Sequence, residues 1–176
     1  GVWIYDIVDG ERRLVETWPE LNSSDPATLK QFVAYGLANY PAEKTMLVVQ
    51  DHGYSWRGLC LDETDGGGIM PIDGLADALR QARDENRGKG VDLLAFDACT
   101  MNTIEIAYEL RETVPYFVAA QVVVPFDGLP YGLFLQDMVK CQGMSPAEVA
   151  AEVVYDYLEY YGDKKTYPHI YPYDQD

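Results

Sequence analysis

The chain has 176 residues and a formal net charge of -16. That length suits one folded unit with a core of its own, and so negative a field repels nucleic acid and anionic membrane while drawing in cations and basic peptides. No apolar run approaches the roughly 20 residues that cross a bilayer, and the start at Gly1 reads as strand-like sequence rather than as a signal peptide.

In chain order, residues 1–8 and 12–18 flank Asp9-Gly10, a strong two-residue turn signal, and predict an antiparallel hairpin. Asp25-Pro26 supplies an N-cap and a first-turn proline to a helix whose Leu29, Phe32, Val33, Gly36 and Leu37 share one face until Pro41. A short apolar strand over 45–50 follows, then a Gly-rich polar segment through 63–68. Leu75, Leu79 and Ala82 mark a second helix ending near Gly88. Strand 91–96, a helix starting near Asn102, a strand over 116–124 and helices near 131–140 and 146–161 complete the pattern. Ser145 and Glu148 form a capping-box pair at the start of the last helix. Beyond Gly162 the Tyr- and Pro-rich run reads as irregular. Alternation of this kind predicts an α/β fold, a mostly parallel central sheet covered by helices on both faces, with the N-terminal β-hairpin added.

His52 and Cys99 each lie just past one of the apolar strands, in TMLVVQDHG and VDLLAFDACT. Strand ends of an open parallel sheet are where such folds carry their sites. A thiol and an imidazole brought together there are the minimum set for attack on an acyl group, because the imidazole manages the proton and the thiolate is strongly nucleophilic. Such chemistry also needs donors for the oxyanion, and the backbone N–H groups of Gly53 and Cys99 are the candidates. The helix after Cys99 is expected to favour the thiolate through its N-terminal amides. Cys60, Cys99 and Cys141 match neither a zinc-site spacing nor a disulfide framework, so at least one thiol stays free. Taken singly, Cys99 reads as an inert core thiol and His52 as a structural histidine. Their joint placement favours catalysis. Asp51 reads as an orienter of the histidine loop, Cys60 and Cys141 as packing residues, and His169 as exposed. The acidic cluster Asp62, Glu63 and Asp65 could offer oxygens to calcium but lacks the spacing of an EF-hand loop, which favours a solvated charge run.

DHGYSW at 51–56 and FDACTMNTIEIAYELR at 96–111 resemble the two catalytic motifs of the clostripain family of cysteine endopeptidases, and the likeness runs on to PFDGLPYG at 125–132. The resemblance implies a caspase-like three-layer sandwich, the fold shared with caspases, gingipains and legumain. It implies His52 and Cys99 as the catalytic dyad and Asp97 as the acidic residue that holds a substrate Arg or Lys, with Asp127 a second candidate for that pocket. The activity implied is endopeptidase cleavage after Arg or Lys through an acyl-enzyme, acting on peptides or proteins. No catalytic cofactor is implied; calcium enters as a structural or activating ion whose ligands the sequence does not identify. Secretion or envelope association, self-processing and a companion chain are implied as well.

Residues 1–176 are read as a single peptidase domain, and as a fragment relative to family members that begin with a further strand and helix and end in a further subdomain. AAQVVVP at 119–125 lacks the acidic residues often found there, and DETDGGG holds no basic residue for self-cleavage. The alternative reading is an inactive peptidase-like module that binds basic peptides; a thiol-sensing α/β protein ranks third.

Overall fold

The structure, a computed structural model, describes residues 1–162. Asp9 and Gly10 both take positive φ, 53° and 77°, as a tight hairpin turn demands. They join β1 (Val2–Val8) to β2 (Glu11–Trp18) in antiparallel register. The helix α1 (Pro26–Asn39) starts where the Asp25 side chain accepts the Ala27 N–H at 2.8 Å. Its Val33 and Leu37 are buried, whereas Phe32, expected on the same face, is 45% exposed.

The core sheet has three parallel strands in the order β3 (Met46–Gln50), β6 (Leu93–Asp97), β7 (Tyr116–Val118). Successive side chains of a strand point to opposite faces, and the sequence is apolar on both. Leu94 and Phe96 of β6 join a core with Leu75, Leu79, Ile106 and Leu110, whose helices are α2 (Ile72–Glu85) and α3 (Ile104–Leu110). Ala95 faces the other way, into a cluster with Phe134 of α4 (Tyr131–Lys140) and Val153 of α5 (Pro146–Tyr161). Helices therefore cover both faces in three layers. The predicted capping box at the start of α5 is present, with Ser145 and Glu148 bonded reciprocally.

Three elements depart from the sequence pattern. A second ribbon, β4 (Leu59–Asp62) with β5 (Gly68–Met70), encloses the Gly-rich segment, where no strand was expected. The strand predicted over 116–124 stops at Val118, because the chain beyond it leaves β6: Thr100 N–H bonds to Val122 O and Asn102 N–H to Ala120 O. The helix predicted near Asn102 begins at Ile104 behind a Thr103 cap. The acidic run is not merely solvated, since Asp62 is buried and accepts from Ser23, Thr64 and Asp65 N–H groups and from the hydroxyls of Ser23 and Thr64. Those donors hold its carboxyl well below the usual carboxylate range. Cys60 is buried, as expected, and Cys141 is exposed at the end of α4, against expectation. His169 lies outside the described residues.

Candidate active site

Parallel pairing fixes the site before any side chain is considered. Gln50 of β3 lies opposite Asp97 of β6, so His52 and Cys99, each two residues farther on, leave neighbouring strands at one level. Both line a cavity of 380 Å³ at that edge of the sheet, together with Gln50 and Asp97. Its other wall is Val124, Pro125, Phe126 and Gly128.

The His52 loop is held from beneath. Asp51 Oδ1 accepts the N–H of His52 at 2.5 Å and that of Leu61 at 3.2 Å, so Asp51 clamps the loop to β4. Cys60 N–H donates to His52 O, and Tyr54 N–H to Gly58 O. These bonds flank the Gly53–Leu59 bridge, which leaves the N–H of Gly53 itself unspent in the ribbon. Glycine is required there, since a Cβ on residue 53 would sit 2.1 Å from the carbonyl oxygen of Cys99. The two loops touch backbone to backbone at this point. Burial, with Asp51 nearby, pushes the Cys60 thiol up to about 12, which keeps it protonated and inert.

Cys99 is half-buried, one residue ahead of Thr100, whose φ of 59° turns the chain sharply. Its sulfur accepts the Val124 N–H at 3.4 Å. The expected help from a helix N-terminus is missing, because α3 starts five residues after the cysteine and the dipole falls off within a turn. The segment 119–125 takes that place instead, lying against the cysteine turn and pointing an amide at the sulfur.

Asp97 forms the floor and is 5% exposed. Its Oδ1 accepts the Leu129 N–H at 3.1 Å and its Oδ2 the Tyr131 hydroxyl at 2.8 Å. Gly128, at φ 72°, packs so close that a Cβ would lie 2.5 Å from Oδ2. Burial and the Asp97 charge raise the pKa of the Tyr131 phenol, which keeps it a donor. Among the described residues this carboxylate has neutral donors only and no cation. It retains lone pairs for a forked guanidinium. Asp127, the second expected pocket residue, is exposed on the adjoining turn and does not line the cavity. Tyr131, Gly128 and Val124 were not singled out from sequence; the PFDGLPYG segment was the signal that contained the first two.

The sequence of residues 8–172 matches the model of the clostripain family. The chain belongs to that family. It is 33% identical over 141 residues to clostripain of Hathewaya histolytica, a match spanning 70% of this chain and 26% of that protein. A secreted C11 cysteine protease from Bacteroides thetaiotaomicron, solved with an irreversible peptide inhibitor, superimposes with a TM-score of 0.77 at 23% identity, over 92% of this chain and 45% of that one. An inactive zymogen C11 protease from Parabacteroides distasonis gives 0.68 at 25% identity, over 90% and 43%. The caspase-like α/β fold expected from the motifs is thus the fold of this chain, which spans less than half the length of these relatives.

Proposed function

We propose that the chain carries the catalytic centre of a cysteine endopeptidase that cleaves after Arg or Lys. The supporting observation is the shared register of β3 and β6, which opens His52 and Cys99 into one cavity floored by a buried carboxylate. A cationic side chain enters toward Asp97, where a desolvated charge pair orients the following peptide bond over the sulfur. Cys99, as the thiolate, attacks the carbonyl carbon. The oxyanion that develops is met by the N–H groups of Gly53 and Cys99, held together by the backbone contact between the loops. As the C–N bond breaks, imidazolium His52 gives its proton to the departing amine and leaves a thioester. Water, deprotonated by His52, then attacks the thioester, the acid is released and the thiolate is restored. No step calls on a cofactor.

Asp97 is assigned the primary pocket and Asp127, on the rim turn, only an outer contact. Residues 1–176 act as one domain of a longer enzyme, and secretion, calcium response and self-processing with a companion chain follow the family pattern.

Labelling with an Arg- or Lys-bearing acyloxymethyl ketone tests this reading, with the chain compared against Cys99→Ala. A stoichiometric adduct on Cys99, absent from the variant and slow with a neutral probe, is expected. An intact chain that binds basic peptides yet never acquires the adduct would instead be an inactive binding module.

A further inference from the structure

Away from the cavity, three acidic side chains converge between the two helices that follow it. Asp137 comes from α4, and Glu152 and Asp156 from one face of α5. One carboxylate oxygen from each lies within 4.8 Å of the other two. Glu152 and Asp156 are four residues apart, a spacing at which like charges oppose the helix. Asp156 is 5% exposed, and its Oδ2 has no hydrogen-bond partner. An orphaned oxygen on a buried acid is costly and asks for a ligand. Lys140 relieves only part of the charge: its Nζ lies 2.9 Å from Asp137 Oδ1 and is shared with Gln136. No other cation pairs with the three among the described residues.

We propose that Asp137, Glu152 and Asp156 form a binding site for a hard divalent cation, calcium in preference to magnesium, that ties α4 to α5. Carboxylate oxygens are the ligands such ions select. Calcium, at about 2.3–2.6 Å from its ligands, takes about six to eight oxygens in flexible geometry, which suits three carboxylates completed by water. Magnesium, at about 2.0–2.1 Å, demands near-ideal octahedral geometry, gives up its water reluctantly and usually keeps to one or two carboxylates. Oδ2 of Asp156 and the second oxygen of Asp137 are the atoms left for the ion, with water completing its shell.

The location gives the ion a second consequence. The first residue of α4, Tyr131, donates to Asp97, and the last residue of α5, Tyr161, donates to Gly128 O at 2.6 Å. A cation joining these helices therefore steadies both supports of the cavity floor. That consequence rests on the peptidase reading; the binding does not.

Calorimetric titration and thermal melting of the full chain with CaCl2, and in parallel with MgCl2, test the site. One calcium per chain is expected, with a rise in Tm on the order of 5 °C or more at a hundredfold excess over Kd. Asp156→Asn and Glu152→Gln each weaken binding at least about tenfold, while Glu105→Gln, exposed on α3 and outside the cluster, leaves it intact. No calcium response in the parent chain, or equal affinity in both Asp156→Asn and Glu152→Gln, overturns the site; tighter magnesium binding overturns the preference. If Asp156→Asn does not fold, Glu152→Gln decides alone. Neither readout uses peptide cleavage, so failure here leaves the labelling result standing, and the reverse.

Discussion

Replacing Gly53 by alanine adds one carbon where two loops already touch. The new Cβ would lie 2.1 Å from Cys99 O, 2.9 Å from Met101 Sδ and 3.0 Å from Cys99 N. Ordinary contact begins near 3.4 Å, so the His52 loop must retreat by about 1.3 Å. Met101 is fully buried and offers no room for the loop to slide sideways. Overpacking of this kind costs about 1–3 kcal/mol, and each kcal/mol lowers Tm by about 2–4 °C in a chain of this size. Displacing an acid and an oxyanion donor by about 1 Å costs on the order of a hundredfold in rate. Gly53→Ala should therefore melt several degrees lower and take up the Arg-directed probe about a hundred times more slowly, with Cys99 still alkylated by a small neutral reagent. A variant with parental Tm and parental labelling rate would refute the close approach, and with it the assignment of the Gly53 N–H.

Asp97→Asn keeps the shape of the floor but removes its charge. Charge-assisted bonds contribute about 1.5–3 kcal/mol, so kcat/KM for Arg substrates should fall about 10- to 150-fold while substrates neutral at that position change little; equal losses on both would remove Asp97 from the pocket. Tyr131→Phe takes one donor from a buried carboxylate, and its cost of about 1–3 kcal/mol should appear as a lower Tm and a raised KM. A parental melting curve would show that bond to be dispensable. Asp62 makes acid stability testable. Its folded pKa is depressed, by Ser23 N–H first and then by the Asp65 and Thr64 donors. The stability it adds is complete above the unfolded value of about 4 and is lost as pH falls through the folded one. Asp62→Asn should lose stability at neutral pH and flatten the decline in Tm below about pH 4; parallel Tm-against-pH curves for the two proteins would contradict this.

Local signals were legible because they act within a few residues. Asp9-Gly10 could form a tight turn whatever surrounded it, and Ser145 with Glu148 closes its own helix end. The strands that deliver His52 and Cys99 announced themselves by apolar runs that must be buried on both faces. What failed was decided by distant partners. Residues 119–124 are apolar enough for a strand, but their backbone is taken up by Thr100 and Asn102, a competition invisible in the segment itself. Leu59–Asp62 pairs with Gly68–Met70 through an irregular register and a positive φ at Cys60, which hides the two-residue alternation. Tyr131 looked like one more helical aromatic; its hydroxyl matters only because Asp97 lies 2.8 Å away.

The matched strand ends limit how this site can be altered by insertion or deletion. A residue gained or lost between Val48 and Gln50 shifts the imidazole by about 3.3 Å along the strand and turns it to the opposite face, so no compensating side-chain rotation restores its reach. The turn over 63–67, outside the paired segments of its ribbon, carries no such constraint. Length variation among natural homologues and engineered tags should accumulate in that turn and be absent from the five-residue strands on either side of the cavity.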